Sequence, residues 1–182
     1  DGTIDCQDDC PTVFGFQGDP CDDGDPCTQN DQLNGNCDCA GTLPSAYWNF
    51  GTSSGNASAS SVTLLNATVS TITRGNNNGS TPLLTSAAQS SGYSGSSGQY
   101  NAGAATINGP LNPTTSTYFE VTVTPGPVYI FTLSELNFGT RSTTTGAQLY
   151  SIRTNLDGYS TTIASGPIAN NSSWSLKTNS GL

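Results

Sequence analysis

From Tyr118 to Thr124 apolar and polar residues alternate. Phe119, Val121 and Val123 fall on one side, and Tyr118, Glu120, Thr122 and Thr124 on the other. A period of two marks a strand with one covered face. The alternation resumes across Val128–Phe138 after Pro125-Gly126-Pro127, which predicts a hairpin. Further strands are expected over Tyr47–Phe50, Val62–Thr73, Gln148–Arg153, Thr161–Ser165 and Trp174–Lys177, with short ones near Leu83–Ala88 and Ala104–Ile107. No stretch repeats every 3.6 residues, and the helix formers Glu, Lys and Met are scarce or missing. Short strands divided by Gly, Asn and Pro turns predict an all-β fold, a jelly-roll-like antiparallel β-sandwich over residues 46–182.

Residues 1–43 follow another pattern. Turn signals crowd together at Gly18-Asp19-Pro20, Gly24-Asp25-Pro26 and Asn34-Gly35-Asn36, and Val13, Phe14 and Phe16 form the one sizeable apolar cluster. Asn34-Gly35, just ahead of Cys37 and Cys39, predicts a type I′ hairpin turn with a disulfide-held return strand. So short a segment buries too little surface to fold on apolar packing alone, so disulfides or metal are expected. It holds all six cysteines: Cys6, Cys10, Cys21, Cys27, Cys37 and Cys39. An even number predicts up to three disulfides of open connectivity, hence an oxidising, extracellular or cell-surface setting. The spacings Cys6-x3-Cys10 and Cys37-x-Cys39 do not match paired zinc-ribbon ligands. Leu43-Pro44-Ser45 reads as a linker between a small acidic, disulfide-rich, turn-dominated module and the larger domain.

Charge sharpens that division. Ten of the 13 acidic residues lie in the first module, which has no lysine or arginine. The remainder sets Glu120, Glu135 and Asp157 against Arg74, Arg141, Arg153 and Lys177, so the net charge of −9 splits into −10 and +1. Ten carboxylates in so short a stretch repel one another unless cations or cross-links offset them. The run from Cys21 to Asp31 packs carboxylates and amides densely, and calcium takes six to eight oxygen ligands. Asp22, Asp23, Asp25 and Asp31 are the candidate calcium ligands, with Asn30 and Asp19 behind them. The spacing is not that of an EF-hand, since Cys27 takes a ligand position and no glutamate closes the loop. An acidic, solvated turn between disulfides is the competing reading.

Several function classes recede. Four scattered basic residues do not make a phosphate-binding surface, so nucleic acid is not an expected partner. No apolar run approaches the roughly 20 residues that span a bilayer, so membrane insertion is not expected. Histidine is absent, which leaves the many serines without their usual activating base. Glu120, Glu135 and Asp157 read as exposed or turn residues, with Arg153 or Arg141 as possible partners of Asp157. No enzymatic activity is expected. Tyr93 and Tyr100, in a Gly/Ser-rich loop, are the candidate residues for stacking on a sugar ring. Five Asn-x-Ser/Thr triplets, beginning at Asn56, Asn66, Asn78, Asn170 and Asn171, allow for a glycoprotein.

The run Pro20-Cys21-Asp22-Asp23-Gly24-Asp25-Pro26-Cys27-Thr28-Gln29-Asn30-Asp31, followed by Asn36-Cys37-Asp38-Cys39-Ala40-Gly41, resembles Cys/Asp-rich spacers in secreted multidomain proteins of Bacteroidota. Tyr47-Trp48-Asn49-Phe50-Gly51, Phe138-Gly139-Thr140-Arg141-Ser142 and Leu156-Asp157-Gly158-Tyr159 resemble a β-sandwich module of large exported proteins in the same bacteria. The resemblance implies export by the type IX route and a place at the cell surface, and it transfers no catalytic residue. Taken with the composition, it leads to a non-catalytic structural or adhesive module of a surface protein or extracellular fibre. Its partners would be other copies of itself or neighbouring surface domains. The alternative is a carbohydrate-binding module appended to a secreted enzyme, with polysaccharide as partner.

Overall fold

The computed structural model describes residues 15–86 and 89–182, and the chain divides into two compact units. The first, described from Gly15 to Ser45, also takes in Val62–Leu65, and the second comprises Ala46–Ser61 and Asn66–Leu182. Hydrogen bonds explain the outlying piece. Gln29 donates to the Thr63 carbonyl, and the Ser45 N–H donates to the Thr63 hydroxyl at 2.8 Å.

In the first unit β1 (Gln29–Leu33) pairs antiparallel with β2 (Cys39–Thr42), with a register shift between Gln29 and Gln32. Pro20 bridges Gln32, and the Cys21 N–H reaches the Asp31 carbonyl at 3.1 Å, so the chain before β1 lies alongside it. Leu33 is the buried hydrophobic residue among those described. The expected return strand is present, tied by the Cys21–Cys39 disulfide. The turn before it is not type I′, which needs two successive left-handed residues. Here Cys37 alone is left-handed, with φ 65°. The Asn34 side chain explains the change: its Oδ1 accepts the N–H groups of Asn36 and Asp38 at 2.8 and 3.1 Å, holding a wider loop. Val13 and Phe14 lie outside the described residues.

Among the described residues the second unit is strand and loop, with one 3-10 turn at Asn155–Asp157. After the two-residue strands β3 (Ala46–Tyr47) and β4 (Ser61–Val62), the last of which reaches the first unit's Val62, two nested sets of ladders follow. In the outer part of the first set β5 (Ala67–Val69) pairs with β10 (Val123–Pro125), and β6 (Thr73–Gly75) with β9 (Tyr118–Glu120). Inside them β7 (Leu84–Thr85) pairs with β8 (Asn101–Ala102). In the second set β11 (Glu135–Thr140) pairs with β14 (Ser175–Ser180) around the inner pair β12 (Leu149–Ile152) and β13 (Ala164–Pro167). All are antiparallel, and the class is all-β as the alternation predicts. Each ladder is two strands wide among the described residues, so ladder bonds alone do not build the broad sheets of a jelly-roll sandwich.

Further sequence expectations are corrected: Val62–Thr73 is divided among separate short strands, and Ala104–Ile107 is loop beyond β8. The single strand expected over Tyr118–Thr124 is broken between β9 and β10, where the Ser70 hydroxyl accepts the Thr122 N–H at 2.8 Å. The partner register slips by one residue across that break, which is the signature of a bulge. The hairpin expected around Pro125-Gly126-Pro127 does not form, because β10 takes β5 as its partner. Val128 is left-handed, with φ 68°, and regular pairing resumes only at Glu135.

Aromatic rings lie over glycines in this domain. Tyr118 faces Gly75, and Tyr150 faces Gly166, as direct cross-strand partners. A Cβ on Gly75 would sit 2.2 Å from the Tyr118 ring, and one on Gly166 would sit 2.9 Å from Tyr150. Glycine thus supplies the space, and the ring covers backbone that glycine would leave bare. Phe138 meets Tyr150 edge to face, with centroids 5.1 Å apart. Gly98 is tighter, because it is buried and its added Cβ would lie 1.7 Å from the Asn49 carbonyl oxygen, a backbone atom that cannot swing away. Gly98→Ala is therefore expected to lower unfolding free energy by about 1–3 kcal/mol, as overpacking does. Gly35→Ala, whose Cβ meets nothing nearer than 3.6 Å, is expected to be neutral, and denaturant midpoints compare the two.

Candidate metal centre

Proline and glycine fold the Asp19–Asp31 stretch back on itself, and its aspartates bond to the resulting turns. The Asp22 Oδ1 accepts the Gly24 N–H at 2.8 Å, the Asp23 Oδ1 that of Asp25 at 2.9 Å, and the Asp25 Oδ1 that of Cys27 at 2.8 Å. Each aspartate caps the residue two places on, as short carboxylate side chains do in turns. Asp23 reaches further. Its Oδ2 accepts the Gly41 N–H of β2 at 2.8 Å, and the Thr28 hydroxyl donates to its Oδ1 at 3.0 Å. Asp31, on β1, accepts the Asp23 N–H through Oδ2 at 3.3 Å.

These bonds draw together carboxylates of Asp22, Asp23 and Asp31, with one oxygen from each lying within 4.8 Å of the others. The N–H groups of Asp25 and Gly41, with the Thr28 hydroxyl, hold the Asp23 carboxyl below its ordinary range, so it stays ionised at neutral pH. The Asp31 Oδ1 is buried and has no hydrogen-bond partner. An orphaned carboxylate oxygen beside two other carboxylates is the donor arrangement a hard cation satisfies, and the cluster could hold a metal ion. Gly41 is what lets β2 close over it, because a Cβ there would lie 2.1 Å from the Asp31 Oδ1.

The other expected ligands stand apart from this cluster. Asp25 caps Cys27, Asp19 accepts the Phe16 N–H at 2.8 Å, and Asn30 is exposed on β1 with a left-handed φ of 55°. Thr28 and Gly41 were missed by reasoning from acidic residues alone. The signal available was a glycine two residues beyond Cys39, on the return strand facing the acidic run.

The Cys21–Cys39 bridge closes a separation of 18 residues and ties the start of the acidic loop to the strand that supplies Gly41. A cross-link over a loop of that size is worth about 3 kcal/mol on chain-entropy grounds. Cys37 is also in a disulfide. Cys27, expected to be bridged, is instead a free and exposed thiol. Its backbone N–H is held by the Asp25 carboxylate. Cys6 and Cys10 lie outside the described residues.

The remaining candidates are engaged inside the second unit. The Tyr93 hydroxyl bonds the Ser90 hydroxyl at 2.6 Å, and its ring lies against Gly139, 6.0 Å between centroids from Trp174. Tyr100 is half-buried beside Gly55. No protein-family model matches the chain, and neither curated proteins nor solved structures give a match.

Glu120 accepts the Tyr159 hydroxyl at 2.8 Å, and the carboxylate beside it raises the pKa of that phenol. Glu135 accepts from the Asn137 amide. Arg153 donates to the carbonyls of Tyr159 and Ser160 rather than to Asp157. Asp157 closes the turn instead, accepting the Thr161 N–H at 2.8 Å and the Ser160 hydroxyl at 2.9 Å. Hydrogen bonds from Thr161 and Ser160 hold its carboxyl at about 2, against an ordinary 3.8. A carboxyl depressed on folding stabilises the fold fully above its unfolded value and loses that contribution as pH falls through the folded one. Carboxyl-carbon NMR should therefore find Asp157 titrating near pH 2, and Asp157→Asn should flatten the acid limb of the stability curve between roughly pH 4 and pH 2. A midpoint near 3.8 would remove the turn bonds from this account.

Proposed function

We propose that this chain is a non-catalytic structural or adhesive module of a bacterial cell-surface protein or extracellular fibre, with calcium bound in its acidic unit. The observation that carries the reading is the surface of the second unit. Its range from Ala46 holds seven charged residues, and Val128, Ile130 and Leu156 stand almost wholly exposed. Few charges and uncovered apolar side chains keep a free domain poorly solvated and suit a surface that neighbours cover. The disulfide between Cys21 and Cys39 fits an oxidising setting outside the cell. Among the described residues no helix is long and apolar enough to cross a membrane.

Calcium is the cation the donors favour, because all three are carboxylates and none is nitrogen or sulfur. Asp22, Asp23 and Asp31 would hold it, with water and backbone oxygens completing the six to eight ligands. The ion would neutralise repulsion within the first unit and stiffen it as a connector. Electron microscopy and intact-mass measurement of native material test the main reading. Polymer or surface-layer contacts are expected, and turnover of a substrate by the purified chain would overturn it.

The cation has a separate test. At calcium a hundredfold above its dissociation constant, binding should add about 2.7 kcal/mol to the stability of the acidic unit. Chelation should lower its melting temperature and expose residues 1–43 to protease, and Asp31→Asn should abolish both responses. If chelator changes neither, the cluster is a solvated acidic turn.

A further inference from the structure

From Tyr129 the chain runs without turn or bend into β11 at Glu135, yet it pairs with nothing until Ser134. The Tyr129 N–H is used by the Gly126 carbonyl, and the Ser134 carbonyl accepts the Gly181 N–H at 2.9 Å, extending the β11–β14 ladder by one step. Between them, Ile130, Phe131, Thr132 and Leu133 make no backbone hydrogen bond among the described residues. Side-chain exposure alternates along the stretch, with Ile130 at 93% exposed, Phe131 at 37% and Leu133 half-buried. An unpaired strand of aromatic and β-branched residues is a template for another strand. Proteins that remain monomeric guard such edges with lysine, proline or a bulge. Here Pro127 and left-handed Val128 guard only the entrance, and the chain's single lysine, Lys177, sits on β14 opposite Phe138.

Building on the self-associating reading given above, we propose that Tyr129–Leu133 is a strand-pairing edge whose occupant is the same segment of a second copy. The two strands would run antiparallel about a two-fold axis through Phe131. An axis perpendicular to the ladder keeps like faces together, so Phe131 meets Phe131, Tyr129 meets Leu133, and Ile130 meets Thr132. One face then gathers aromatic and leucine side chains, and the other gathers β-branched ones, both favourable cross-strand combinations. Charge selects the same partner. Pro127–Ser134 carries none, so nothing in it specifies a charged ligand. In this register the nearest charge, Glu135, falls opposite Pro127 and not opposite itself, so self-pairing brings no like charges face to face. Five residues a side bury less than the roughly 800 Å² per partner of a stable complex. The pair is therefore weak alone and gains strength where many copies are held side by side.

Two experiments on the 182-residue chain decide it. Sedimentation velocity from micromolar to millimolar protein should show a dimer growing with concentration. Ile130→Lys should weaken it about tenfold or more, and the exposure of Ile130 leaves the monomer fold intact. In a Cys27→Ser background, Phe131→Cys with diamide as oxidant should give a disulfide-linked dimer, whereas Ile130→Cys, facing Thr132, should give far less. A monomer at every concentration, or cross-linking equal at the two positions, overturns the proposal. Association untouched by Ile130→Lys also overturns this edge, yet leaves the structural-module reading standing. Native material without polymer or surface contacts would sink that reading whatever the dimer measurement shows.

Discussion

A chain with little buried apolar surface must still find partners for the backbone groups that its turns leave unpaired, and in this protein short polar side chains provide them. Asp22, Asp23 and Asp25 each accept an N–H two residues on. Asn34, Asn49, Asn56 and Asn112 do the same for Asn36, Gly51, Ser58 and Thr114. Such bonds are individually modest, but leaving a buried donor unmet is expensive, so they decide where the chain can bend. The abundance of Asp, Asn, Ser and Thr thereby becomes a structural property and not merely a polar surface.

In the acidic unit this constraint creates the site. Asp23, which ties Asp25 to Gly41, fixes a carboxylate beside those of Asp22 and Asp31. The N–H groups that anchor Asp23 also keep it charged, so repulsion grows as the fold tightens. The Cys21–Cys39 bridge resists that repulsion covalently, and a bound cation would relieve it electrostatically.

In the larger unit the same economy of apolar surface shapes the ladders. Pairs are narrow, rings such as Tyr118 and Tyr150 cover glycines, and a hydroxyl of Ser70 replaces a ladder carbonyl where the register slips. The buried Asn179 accepts the Tyr150 hydroxyl and donates to the Leu136 carbonyl, linking β12, β14 and β11. The stretch before Glu135 is a part of the strand system that backbone hydrogen bonds among the described residues do not complete.

Sequence alone was enough for the all-β class, for the Cys39 return strand and for the Asp22–Asp31 cluster, because alternation, cysteine placement and charge density are local properties. Strand positions near Leu149–Ile152 were legible for the same reason. Partners were not. Whether Val123 pairs forward across Pro125 or backward with Val69 depends on contacts more than fifty residues apart, which local pattern does not encode. The site divides along the same line: acidic residues announce themselves, whereas the parts played by Thr28 and Gly41 exist only once β2 folds back over the loop. Tertiary structure also left Cys27 unbridged and Asp25 outside the cluster, outcomes that spacing in the chain does not determine.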